Sequence, residues 1–160
     1  MKIAILGASG RFGNILLEKA SKNNNFEVTG FSRKPIECSN AKLINKDLFE
    51  LTKEDLNEFD AVVSAFGVFD PNRLDEHTKL MKHLLNIINP KTRLIIIGGA
   101  GSLFVNTEHT IMLQDTPEFP KEYLGVASAS TDAYNYLKTF DNILWTYFSP
   151  SAIFDYEGDN

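Results

Sequence analysis

Gly7-Ala8-Ser9-Gly10-Arg11-Phe12-Gly13 follows directly on the aliphatic run Ile3-Ala4-Ile5-Leu6 and opens a helical pattern. Three glycines in that spacing suit a main chain that turns sharply and lies against a polyphosphate. Gly7 permits the tight turn, Gly10 lets the backbone approach a pyrophosphate, and Gly13 lets the helix pack close on the strand. Amide groups at the helix start, with the helix dipole behind them, then meet the phosphate charge. Ser9, Arg11 and Phe12 belong to the same expected turn. A glycine turn without a ligand shares the pattern, but the strand before it and the helix after it favour phosphate.

The next informative place is the end of the second strand, about 20 residues on, where a carboxylate would hold a ribose 2′-hydroxyl. Here it reads Ser32-Arg33-Lys34. A guanidinium there can pair with the 2′-phosphate of NADP, so NADP is the expected cofactor, with NAD possible. The plainer reading of Arg33 and Lys34 is a solvated pair.

These residues need a scaffold, and the chain supplies one. Aliphatic runs at 2–6, 26–31, 42–45, 61–63, 94–97 and 144–148 read as strands. Helical spacing covers Arg11 to Lys22, Asp75 to Ile88 and Tyr123 to Phe140, and Thr52 with Asp55 suggests a capping box on a short helix. Strands alternating with helices imply an α/β fold, a doubly wound parallel sheet of the NAD(P)-binding Rossmann type, as one domain over 1–160. The stretch Gly98 to Glu122 is the longest irregular one, and long loops in compact domains are usually functional or disordered.

Composition narrows the classes further. The 160 residues carry 21 acidic against 16 basic side chains, a formal charge of −5 without a dense basic block, so nucleic acid is not an expected partner. One cysteine, Cys38, allows no internal disulfide, and no grouped Cys or His suggests a metal. His77 and His83 are six apart and fall on different helix faces. No run approaches membrane-spanning length, and the N-terminal apolar run is too short for a signal peptide. A cytoplasmic protein, monomeric or weakly dimeric, acting on a small-molecule substrate is the expectation.

With these residues in hand, the chain resembles the NmrA-like, NAD(P)-binding group of atypical short-chain dehydrogenase/reductases. Within that group it is similar to small bacterial NADH-flavin reductases related to biliverdin reductase B. The likeness is carried by Met1 to Gly13, Asp60 to Gly67, Arg93 to Leu103, Asp115 to Tyr123 and Trp145 to Ala152. Gly98-Gly99-Ala100-Gly101-Ser102-Leu103 and Asp115-Thr116-Pro117 are its more specific parts. The resemblance implies that Asp47 and Leu48 line the adenine, and that Ser64-Ala65-Phe66-Gly67 borders its ribose. Gly98, Gly99 and Ser102 fall where cofactor and substrate meet, and Ser149-Pro150-Ser151-Ala152 lies against the nicotinamide. Local turn chemistry is the competing role for Asp47 and Ser149.

Ser102 and Tyr123 are the candidate catalytic residues. The wider superfamily pairs a tyrosine with a lysine four residues later, whereas Tyr123 is followed there by Ala127. Tyr123 is therefore expected to position substrate or shield the nicotinamide. Tyr134 and Lys138 have the spacing but lie about three turns too far along, and read as an exposed surface pair. Relatives also continue for several tens of residues past the position matching Gly158, so the C-terminal part reads as truncated by a strand and a helix. The expected function is an NADPH-dependent reductase of a flavin, quinone or similar small acceptor. The alternative is a non-enzymatic NADP(H) redox sensor, which the missing lysine favours; the 98–122 loop, placed to cover a substrate, favours the enzyme.

Overall fold

The computed structural model describes residues 1–151; Ala152 and the terminal Glu157 to Asn160, on which parts of the sequence reading rest, lie outside the described residues. β1 (Lys2–Leu6) is buried from Ile3 onward because both of its faces are covered, as its uninterrupted aliphatic sequence requires. α1 (Arg11–Ser21) follows the glycine turn and buries Leu17 against Ile3, Ile5 and Val28. β2 (Glu27–Ser32) and β3 (Lys42–Asn45) continue the sheet outward. Thr52 caps α2 (Lys53–Leu56) in the expected reciprocal box with Asp55. β4 (Ala61–Ser64), α3 (Glu76–Ile87), β5 (Arg93–Ile97), α4 (Leu124–Leu137) and β6 (Trp145–Phe148) complete the described part.

The six strands pair in parallel in the order β3-β2-β1-β4-β5-β6. The order reverses beside β1, whose neighbours are β2 and β4, and ligands of open α/β sheets bind outside the carboxyl ends at such a reversal. One face of the sheet is closed by α3 and α4, with Leu84 and Leu137 packed around Leu6, Val62 and Leu94. Each such fully buried aliphatic side chain contributes about 1.5–3 kcal/mol. The other face carries α1 over β1 and β2.

Boundaries differ from the sequence reading where turns compete with helix. Tyr123 is the N-cap of α4, preceded by a 3-10 turn at Lys121–Tyr123. The helix stops at Leu137, because Thr139 and Phe140 donate to Tyr136 O and Leu137 O in three-residue turns. The long stretch after β5 is ordered by 3-10 turns at Ala100–Ser102 and Leu113–Asp115 and by an antiparallel bridge between Phe104 and Met112. No helix among the described residues is long and apolar enough to cross a membrane.

Candidate functional site

The glycine turn is held from below. Gly7 N and Ala8 N both donate to Phe31 O at 3.0 Å, so the turn is anchored between the ends of β1 and β2. Gly7 has φ +77°, the left-handed region, and an added Cβ would also approach Ala65 O at 3.1 Å. An added Cβ on Gly13 would stand 2.2 Å from Gly7 O, so only glycine lets the helix begin against that carbonyl. The close approach is to the turn itself, where the sequence reading had placed it against the strand. Gly10, at the N-cap, contributes no side-chain bond, and the first turn of α1 holds no acidic residue. The first turn itself thus brings no carboxylate to the positive end of the helix. Ser9 and Arg11 are exposed on the turn, and Phe12 is half-buried.

At the end of β2, Ser32 is buried and its hydroxyl donates to Lys34 O at 2.5 Å, fixing the corner that projects Arg33. The sequence reading found no carboxylate beside this guanidinium. The fold supplies one: Ser32 pairs with Asn45, and Asp47, two residues further on, brings Oδ2 to 3.9 Å from Arg33 Nη1. The other carboxylate oxygen accepts from Phe49 N at 3.0 Å and caps the 3-10 turn Leu48–Glu50, so Asp47 also does local turn chemistry. Leu48 belongs to the core and is 6% exposed. Phe66 sets its ring edge-on to Phe49 and to His77.

A cleft of about 660 Å³ opens at the carboxyl ends of β4, β5 and β6. Of the site residues expected from sequence, Arg11, Ser64, Phe66, Gly67, Gly98, Gly99, Tyr123 and Ser151 line it. An added Cβ on Gly99 would meet nothing within 4 Å, so this glycine leaves the cleft floor open. Family comparison agrees with this arrangement: the model described as NAD(P)H-binding matches residues 7–160. The chain belongs to the NAD(P)H-binding family.

Similar proteins match along nearly all of this chain. The Bacillus subtilis protein YwnB is 45% identical over 162 residues, covering 99% of this chain and 75% of that protein. A Streptococcus pneumoniae protein described as a putative NADH-flavin reductase superposes with a TM-score of 0.94 at 40% identity, covering all of this chain and 76% of that one. A Bacteroides thetaiotaomicron protein described as a putative epimerase gives a TM-score of 0.79 at 33% identity over 95% of this chain and 71% of that one. The strand order and the glycine turn fit the nicotinamide dinucleotide that the family binds.

Ser102 stands apart from the cleft wall. It is 8% exposed, and its hydroxyl lies 3.3 Å from Gly99 O and 3.2 Å from the Ser149 hydroxyl, so the pair ties the loop after β5 to the end of β6. Pro150 beside it is half-buried. Ala65 faces the glycine turn through its carbonyl, and its N–H donates to Leu6 O. Tyr123 is 52% exposed at the start of α4.

Tyr147 is the cleft residue that the sequence reading passed over as one more strand position. Its ring occupies the space a side chain on Gly98 would need, with Cζ only 2.1 Å from an added Cβ, so Gly98 makes room for a tyrosine. Burial pushes the phenol above the ordinary tyrosine range, opposed by the Ser102 hydroxyl and the Gly99 backbone. Tyr134 stacks on it at 4.5 Å between ring centroids, and Lys138 lies over the Tyr134 ring. Tyr134 is thus a half-buried brace, and only Lys138 of that pair is a surface residue. His77 and His83 bond separately, to Val68 O and Leu51 O, and pin α3 to two different loops.

Proposed function

We propose that this protein is an NADPH-dependent reductase of a flavin, quinone or similar small acceptor. The observation that carries the reading is the continuity of the cleft, which runs from Arg11 on the glycine turn to Tyr147 at the end of β6. A small acceptor and the cofactor's reactive end have a common space there. When bound, the dinucleotide supplies a hydride, and a proton from water completes a two-electron reduction. The glycine turn binds its phosphates, while Phe119, Pro120 and Tyr123 wall the cleft and restrict water. Ser102 and Ser149 fix the backbone that borders the acceptor. Arg33 supports NADP over NAD, its charge complementing a 2′-phosphate, with Asp47 orienting the guanidinium. The name of the Streptococcus pneumoniae neighbour points to the same chemistry.

One feature supports a sensor that binds the dinucleotide without turning it over: Ala127, not lysine, stands one turn after Tyr123. Oxidation of NADPH and NADH with FMN, FAD and small quinones, measured beside direct binding, separates the two. The reductase reading expects acceptor-dependent consumption of NADPH. Binding without consumption by any acceptor would transfer the assignment to the sensor.

A further inference from the structure

The cleft changes chemistry along its length. Arg11, on the glycine turn, and Glu118, exposed on the outer loop, are the only formally charged side chains among its described lining residues. The inner wall is Leu80, Met81 and Leu84 of α3, Ile96 of β5 and Ala133 of α4, all buried. A ligand phosphate placed against that wall would lose its hydration without gaining a cation, which is strongly unfavourable. Arg11 already stands at the turn assigned to the dinucleotide phosphates. The inner cleft therefore discriminates against anionic acceptors such as phosphorylated flavins.

It does offer a hydrogen-bond donor. The Tyr147 hydroxyl donates to Ser130 O at 3.4 Å, well beyond the 2.5–3.0 Å usual for an O–H donor. The Ser102 hydroxyl and the Gly99 backbone also bear on this phenol, so the donor stands at the carboxyl end of β5, where the cleft opens. Gly98 beneath and Tyr134 alongside hold the ring in place while the hydroxyl stays at the cleft. Its buried setting keeps it protonated, and thus a donor, at neutral pH.

We propose that the inner cleft binds an uncharged ring carbonyl compound, of the quinone class and without a phosphate. Its oxygen accepts from Tyr147 and its apolar substituents lie between α3 and α4. The assignment names the acceptor within the reductase reading and rests on it, but binding is measurable without the dinucleotide.

The test is calorimetric titration of the full chain, free of dinucleotide, with duroquinone, a decyl-substituted dimethoxy-methyl benzoquinone, and FMN. Both quinone rings are fully substituted, which disfavours addition of the Cys38 thiol, and the titrations are repeated on Cys38→Ser. NADPH binding is titrated separately on every variant. The decyl quinone should bind at least about tenfold more tightly than FMN, because its apolar chain is buried. Ala133→Leu and, on the half-buried neighbouring turn, Ser130→Leu should each weaken the quinone by about tenfold while leaving NADPH affinity unchanged. Tyr147→Phe should weaken it by roughly three- to tenfold through loss of one hydrogen bond. FMN binding as tightly as the decyl quinone, or quinone affinity surviving both filling substitutions, would overturn the proposal. Quinone binding that behaves as expected in a protein that fails to bind NADPH would remove the reductase reading and leave the inner site standing.

Discussion

Gly10 and Gly13 both belong to the dinucleotide turn, yet a methyl group has different consequences at each. At Gly13 it would lie 2.2 Å from Gly7 O, a backbone atom that cannot swing aside. Gly13→Ala should therefore cost about 1–3 kcal/mol of stability or more, read as a lower melting temperature without any ligand. At Gly10 the methyl would lie 3.2 Å from Gly7 O, and φ is −73°, which alanine adopts freely. Gly10→Ala should melt close to the parent yet bind NADPH at least about tenfold more weakly, since the added Cβ crowds the turn where main chain must approach phosphate. An unchanged NADPH affinity in Gly10→Ala would remove the turn from the binding site. Arg33 makes a second residue-scale prediction. Removing it takes away the cation that stands 3.9 Å from the Asp47 carboxylate. Arg33→Ala should lower NADPH affinity by the ~1.5–3 kcal/mol typical of a charge-assisted bond and alter NADH affinity little. Equal losses for both dinucleotides would make Arg33 a structural residue.

Among the elements, α2 is the one whose start is most fully specified by side chains. Thr52 Oγ1 accepts from Asp55 N, and Asp55 Oδ2 accepts from Thr52 N at 2.7 Å and from Lys46 Nζ at 2.6 Å. Burial alone would raise the Asp55 carboxyl, but the Lys46 and Thr52 bonds outweigh it and hold the carboxyl below its ordinary value. A depressed carboxylate contributes stability above its unfolded pKa and loses it as pH falls through the folded one. Lys46→Met should thus be destabilised most at neutral pH, and its deficit should shrink in acid as Asp55 protonates in both proteins. A deficit constant from pH 7 to pH 2 in denaturant titrations would assign the loss to packing. This box was legible from Thr52 and Asp55 alone, as was the strand-turn-helix at the N-terminus, because local spacing dictates both. Lys46 joining the box was not, nor was the encounter of Arg33 with Asp47, which depends on the register that sets Ser32 against Asn45. Tyr147 was hidden for the same reason. Its role comes from Gly98 on the neighbouring strand's end, and pairing between strands leaves no mark in either segment.

Across the whole molecule, the sheet is covered unevenly. Its α3–α4 face is closed except where the cleft opens at the strand ends, whereas the α1 face over β4 to β6 presents Val63, Ile95 and Ile97 half-buried and Phe148 exposed in paired register. β1 lies between two partners with Ala4, Ile5 and Leu6 shut off from solvent, while β6 pairs among the described strands with β5 alone. Local opening needs least free energy where few apolar contacts and ladder bonds are lost, so amide exchange should grade from slow in β1 and β4 to fast in β6. The ligand acts on a different axis. Binding only to the folded state stabilises it by about 2.7 kcal/mol at a hundred times the dissociation constant. For a chain of this size that is a melting rise of roughly 5–10 °C. With saturating NADPH, exchange should slow at residues 7–13 and 98–101, two separate segments that reach the cleft through Arg11 and through Gly98 to Gly101. Amides of α2, remote from the cleft lining, should slow only as far as global unfolding carries their exchange. Protection confined to 7–13 would mean that the dinucleotide stops at the turn and does not reach the β5 end. In that case the shared cleft, and with it the reductase reading, would fail while the fold and the phosphate site remained intact.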